Sequence, residues 1–424
     1  MRNITVCFLK KHTLRYCDSR PPGEAMLTEK QIQRYADVLL WGLATARTGK
    51  IKKGDIILIR YDLPGIKLAE VLYAKLLEMG VYPLHRMLQT PTMETHFYKL
   101  SNNRQLTFIP PGEEELYRSL NGSIAILGPE SLTHLSQVDP SRIGKPIKSR
   151  KFLRDILDRR EEEGEFSWTL AMYPTEELAG HAGITVEEYA RQIIKACFLN
   201  RKDPIGHWQE IYKNAKALKN WLNSMPVKTF HLESDNADLM ITPGEKRRWI
   251  GISGHNIPSF ELFTSPDWRG TNGIYYADQP SYRSGNYIKG IRIEFKNGKV
   301  ISAAAEKGES FLKKQLLMDN GANKIGEFSL TDKTFSKIDR FMANTLFDEN
   351  YGGKYGNSHI ALGASYSDTY SGKPSDLTKE IKSNLGFNDS ALHWDIVNTE
   401  KKRVTAHLKS GQKTVIYENG RFAY

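Results

Sequence analysis

Cysteine is scarce. Cys7, Cys17 and Cys197 are the only three in 424 residues. They form no CxxC pair, and the odd count suits a reducing compartment, with the thiols read as small core or partly exposed groups. Long apolar runs are missing too. The longest mostly apolar stretch near the N-terminus, 38–46, falls far short of the roughly 20 residues a membrane helix needs. The opening MRNITVCFLKKH reaches Lys10 and Lys11 before any signal-type apolar stretch develops. A cytoplasmic protein without a membrane span is the expectation. Phosphate-cradling motifs are also absent. No two glycines are spaced i, i+2, so GxGxxG cannot occur, and there is no GxxxxGK[ST]. Neither HExxH nor GxSxG is present, which argues against a helical zinc protease and a serine-hydrolase elbow.

What remains is the composition of a globular protein, 40% hydrophobic and 26% charged. The length exceeds one ordinary core and predicts two domains, 1–222 and 223–424. The formal charge is +11. The basic residues are spread over several short clusters, such as Lys52-Lys53 and 148–154, and acids interleave some of them. Solvated faces explain this better than a nucleic-acid surface, and no specific nucleic-acid partner is expected.

The first half reads as α/β. Thr28 is a helix N-cap, and apolar residues at Ile32, Ala36, Leu39, Leu40 and Leu43 keep helical spacing through Ala46. The aliphatic run 55–61 resembles a buried strand of a parallel sheet. A helix opened by Pro64 and closed before Gly80 follows, then a strand at 81–88. That is a β-α-β unit. The segments 113–120 and 186–198 read as helices, 123–127 and 166–173 as strands, and 208–221 as a helix. The N-terminal domain is therefore expected to be α/β with an open, largely parallel sheet. It offers no site: His12, His85, His96, His134, His181 and His207 stand isolated.

After Pro226 the texture changes to short strands, predicting an α+β, strand-rich C-terminal domain. Strands are expected at 228–232, 238–242 and 246–250. Residues 288–305 form a hairpin around Asn297-Gly298, a type I′ turn signal. Residues 310–318 and 332–346 read as helices. In the second, Ile338, Phe341, Met342, Thr345 and Leu346 keep the helical rhythm.

Several acids and histidines occupy unusual frames. Glu261 sits between Phe260 and Leu262, and Glu327 between Gly326 and Phe328. A carboxylate buried there needs a partner, and a cation is one candidate; a solvent-facing strand acid is the other reading. His393 and Asp395 form H-x-D in a strand-like run. Residues i and i+2 share a face, about 7 Å apart along the strand, and their side chains can lean toward one metal. A plain His–Asp hydrogen bond would give the same pattern. His359, Glu349 and Tyr366 lie close by in sequence.

Taken in order, these segments resemble the aminopeptidase T family of thermophilic metallo-aminopeptidases. The resemblance covers most of 225–424 and, more faintly, the first half. It is carried by IPSFELFTSP around Glu261, AEKGE at 305–309, Gly326-Glu327, NTLFDEN at 344–350, SHIALG at 358–363, Tyr366 and His393-x-Asp395. The resemblance implies a homodimer whose active sites face an internal cavity. It implies two divalent ions per chain (Zn, Co or Mn) held by Glu261, Glu327, His359, His393 and Asp395, with Glu349 in or just behind that shell. Tyr366 would be catalytic, and Glu327 or Glu349 the general base. The substrates implied are peptides with a free N-terminus. A two-metal hydrolase of another amide or ester, and a non-enzymatic basic binding protein, are the alternatives. Two departures stand out. Phe260 replaces a small or polar residue before the first Glu, which is expected to alter the pocket or the strand packing. The glycine-rich link 350–358 is longer than the family's.

Overall fold

The computed structural model describes residues 26–424; Cys7, Cys17 and His12 lie outside them. The first helix runs Glu29–Ala46, and Thr28 and Gln31 cap it reciprocally through each other's backbone N–H. Strand β1 (Ile56–Tyr61) lies between β2 (Tyr82–Met87) and β3 (Gly122–Leu127), and β4 (Trp168–Met172) adds to β3. All these pairings are parallel. Helices Ile66–Glu78 and Val186–Ala196 fall where helical spacing predicts them. Others were not anticipated. Pro91–Leu100, Pro140–Ser149 and Lys151–Glu162 are helices, and the last two cover the basic stretch read as solvated faces.

Strands β5 (Val227–Ser234) and β6 (Asp238–Ile241) begin an antiparallel sheet. The stretch 246–250 is not a strand; it makes only isolated bridges, Arg247 with Tyr370 and Ile250 with Phe263. The chain then returns to the first sheet. The two-residue strand β7 (Asn256–Ile257) pairs parallel with β4, completing the five-stranded order β2-β1-β3-β4-β7. After the cis Ile257–Pro258 peptide, β8 (Glu261–Thr264) enters a different sheet.

Next come β9 (Asn272–Ala277), β10 (Ser281–Arg283), β11 (Asn286–Lys296), β12 (Lys299–Lys307), β13 (Ile325–Thr331), β14 (Asn357–Gly363), β15 (His393–Asn398), β16 (Lys402–Leu408), β17 (Lys413–Glu418) and β18 (Arg421–Phe422). Asn297 and Gly298 both take positive φ at the β11–β12 turn, as the Asn-Gly signal requires. Nine strands form a large antiparallel sheet, and β15-β14-β13-β8 form a smaller one. The two sheets pack face to face. Phe230 meets Phe328 at 5.9 Å between ring centroids, and the Tyr275 hydroxyl donates to the Ser358 and Ile396 carbonyls.

The segment 332–346 is not the predicted helix; only Thr345–Asp348 is helical. Its polar side chains serve long-range partners instead. The Ser336 hydroxyl donates to the Asn350 carbonyl at 2.5 Å, and the Asp332 carboxylate accepts from Phe422 N. The apolar rhythm still acts. Ile338, Met342, Leu346 and Phe347 bury into the core beneath the parallel sheet. Phe260 joins that core, stacked on Trp208 at 5.5 Å and 1% exposed. Its bulk therefore fills a core position rather than narrowing a pocket.

Candidate metal centre

The small sheet sorts its residues by alternation. Leu262, Phe328, Leu330, Ile360, Leu362, Trp394 and Ile396 point into the sandwich core. The intervening residues form the other face. Across the strands, Thr331 pairs with Glu261, Ser329 with His359, Ala361 with both Glu327 and Asp395, and Gly363 with His393. Small residues at 329, 361 and 363 leave room for the larger acids and histidines. A register irregularity between Ile325 and Glu327 aims the second acid. Gly326 is needed there, since a Cβ would lie 2.2 Å from the Ala364 carbonyl oxygen.

Three residues converge closely. One ligand atom each from Glu261, Glu327 and His359 lies within 4.8 Å of the others. All three are buried, and His359 Nε2 is 3.2 Å from Glu261 Oε2 and 3.1 Å from Glu327 Oε1. Asp395 Oδ1 is 3.9 Å from the same nitrogen and 3.3 Å from His393 Nε2. Glu327 faces both histidines, its Oε2 lying 3.9 Å from His393 Nε2. His393 Nδ1 sits 2.9 Å from the Ala364 carbonyl. That contact places the ring proton on Nδ1 and leaves the Nε2 lone pair toward the cluster. Glu349 ends the Thr345–Asp348 helix, and Asn256 Nδ2 donates to its Oε1 at 3.1 Å. Tyr366 packs edge-on against His393, 4.8 Å between centroids.

The electrostatics follow from crowding acids in a buried place. Burial pushes the Glu261 carboxyl up to about 8, with His359 opposing and Glu327 and Asp395 adding to the rise. Glu327 and Glu349 stand well above the carboxylate range, first from burial and then from neighbouring acids. Asp395 runs the other way. Burial would raise it, but contact with His393 and the nearness of His359 pull it down to about 2. His393 is raised despite its burial, chiefly by Asp395. Burial, then the Glu327 charge, keeps the Tyr366 hydroxyl protonated and able to donate.

Carboxylate oxygens and imidazole nitrogens are the donors a divalent cation takes. A cation would relieve the repulsion among these acids and satisfy Asp395 Oδ1, buried without a hydrogen-bond partner. The residues present therefore fit the group. Sequence reasoning missed the supports. Ser329 Oγ donates to Glu261 Oε2 at 3.0 Å, and Asn357 Nδ2 donates to the Glu349 carbonyl at 2.9 Å. Ser329 was findable as the residue two beyond Glu327 on one strand face. The link 350–358 is tightly turned, not loose. Gly356 takes φ +58°, and its would-be Cβ lies 2.0 Å from the Tyr417 hydroxyl.

A buried cluster of this make-up can polarise a carbonyl and activate water, which defines a metal-dependent hydrolase centre. The pattern of the thermophilic metalloprotease family (M29) matches residues 28–422, and the chain belongs to that family. It is a hydrolase of peptide bonds. Aminopeptidase PepS of Streptococcus thermophilus is 24% identical over 414 residues, 92% of this chain and 98% of its own length. Aminopeptidase T of Thermus thermophilus is 27% identical over 331 residues, 73% of this chain and 78% of its own. The solved structure of wild-type AmpT from Thermus thermophilus has the same fold, with a TM-score of 0.75 at 22% identity, covering 94% of this chain and 100% of that one.

Proposed function

We propose that the protein is a metal-dependent aminopeptidase that releases single residues from the N-termini of peptides, with two divalent ions held on the face of the small sheet. The observation that carries this is the convergence of Glu261, Glu327 and His359 within 4.8 Å, all buried. Glu327 supports a pair of ions, because its two oxygens face different histidines. His359, Glu261 and Asp395 would hold one ion, His393 and Asp395 the other, with Glu327 between and Glu349 alongside. Bound there, divalent ions would lower the pKa of the attacking water and polarise the scissile carbonyl. The side chains do the rest. Glu349, alongside the pair, accepts the proton of the attacking water. Tyr366 donates its hydroxyl to the carbonyl oxygen as negative charge develops there. An oxygen-rich donor set does not choose sharply among Zn, Co and Mn.

The same reading divides the chain at 222/223 and places it in the cytoplasm as a homodimer. The edge strand β2 supports the dimer, since Tyr82, Leu84 and Met87 are exposed there and Tyr73 and Leu77 on the neighbouring helix are too. Dialysis against a chelator, followed by an aminoacyl-p-nitroanilide assay, tests the activity. Loss on metal removal and recovery on adding back Zn, Co or Mn is expected. Turnover unaffected by complete metal removal, or equal cleavage of N-acetylated peptides, would sink the reading.

A further inference from the structure

A small cavity adjoins the metal centre through Asp395. Gln279, Ser281, Thr345, Asp348 and Asp395 line it, and among the described residues no lysine, arginine or histidine does. Its volume is about 10 Å³, room for one water-sized group. Three features make it a receptor rather than a packing gap. Gln279 is 9% exposed, yet its Oε1 is buried with no hydrogen-bond partner among the described residues, while its backbone N–H is tied to the Val397 carbonyl at 3.3 Å. Asp348 is fixed in place, one oxygen accepting from Met342 N and the other from Asn344 N, both at 2.8 Å. Each of those oxygens keeps a second lone pair. Asp395 belongs to both cavity and cluster.

An opening lined by carboxylates and a free amide oxygen, with no cation of its own, suits a positively charged donor. We propose that it receives the α-ammonium group of the substrate, with Gln279 Oε1 and the Asp348 carboxylate accepting its hydrogen bonds. The inference rests on the aminopeptidase reading and supplies its exopeptidase rule. An –NH3+ group is water-sized and fits this volume. The α-nitrogen is about 2.5 Å from the scissile carbonyl carbon. A group seated beside Asp395 therefore leaves its carbonyl at the cluster. An acetylated N-terminus carries neither the charge nor the three donors.

The test uses the metal-loaded full chain and two probes: kinetics on leucine and lysine p-nitroanilides, and calorimetric titration with leucinol, an amine that is not hydrolysed. Gln279→Met is expected to raise KM for both anilides alike by about tenfold or more, and to weaken leucinol by a similar factor. Gln279→Glu, which keeps shape and acceptor, is expected to restore both, and thermal melts of the two variants check that each is folded. A loss confined to the lysine substrate would assign the cavity to a side-chain ammonium and overturn the proposal. So would an unchanged KM and leucinol affinity in Gln279→Met. Wild-type protein that binds leucinol, with Gln279→Met weakening it, but cleaves no aminoacyl anilide would uphold the cavity and overturn the aminopeptidase reading beneath it.

Discussion

Glu327 sits where two histidines and three other acids meet, so removing its charge should act in opposite directions with and without metal. Glu327→Gln is expected to lower bound metal by elemental analysis and to cut anilide turnover by about 100-fold or more. The same variant stripped with chelator should melt above stripped wild type, because one uncompensated buried carboxylate has gone. His359→Ala should stay folded yet lose metal and activity together. Tyr366→Phe should keep its metal and lose about 100-fold in kcat, the scale of one lost oxyanion donor. At this scale much was legible. H-x-D on a strand placed His393 and Asp395 on one side, and they lie 3.3 Å apart. Glu261 and Glu327 were suspected from their apolar neighbours. What sequence could not show is that 261, 327, 359 and 395 share a sheet face, since that depends on register between strands far apart in the chain. Gln279 gave no signal at all. A lone glutamine beside a proline looks like any surface turn.

Among elements, the stretch 332–348 shows pattern and structure parting. Its apolar spacing is helical, and those residues are buried, but its backbone groups bond to Asp348, Ser336 and the neighbouring loop instead of forming a helical ladder. Tertiary partners overrode local periodicity. The reverse happened at Pro140–Ser149 and Lys151–Glu162, whose faces bury only Ile143, Pro146 and Leu153. Helices that bury so little leave a weak pattern. The aliphatic run of β1 was plain because the strand is covered on both faces. Two stability predictions belong here. Phe260→Ala removes a ring stacked on Trp208 in the core and should cost about 3–5 kcal/mol in chemical denaturation. Lys402 on β16 is 2% exposed, and burial brings its ammonium down to about 7. Between that value and the ordinary lysine range, the unfolded chain holds a proton the folded chain lacks. The lysine's contribution is thus lost as pH falls toward 7. Lys402→Met should stabilise more at about pH 6 than at about pH 10, by about 3–4 kcal/mol, the bond to the Glu400 carbonyl being lost at both pH values.

Across the whole molecule, the two cores are joined by the chain itself. β7 closes the parallel sheet at Ile257, and β8 opens the sheet that carries the candidate site at Glu261. Ile338, Met342 and Phe347 are sent back from the strand-rich half into the core under the parallel sheet. A fragment beginning near residue 223 would expose those side chains together with Phe260, and is expected to aggregate or to bind no metal when expressed alone. The exposed apolar edge at β2 gives a second test at this scale. Leu77→Glu with Tyr82→Glu is expected to convert the proposed dimer to monomer in light scattering without changing metal content.

The order β15-β14-β13-β8 also sets a timetable. Its first contributor is Glu261, while His393 and Asp395 come from the last strand of the set to be made. Chains grow from the N-terminus, and long-range strand pairing comes slowly. The centre therefore has no second histidine until β15 has been made. A growing chain that has not reached β15 carries the whole parallel sheet and only part of the proposed ligand set, and is expected to have no means of cutting the peptides around it.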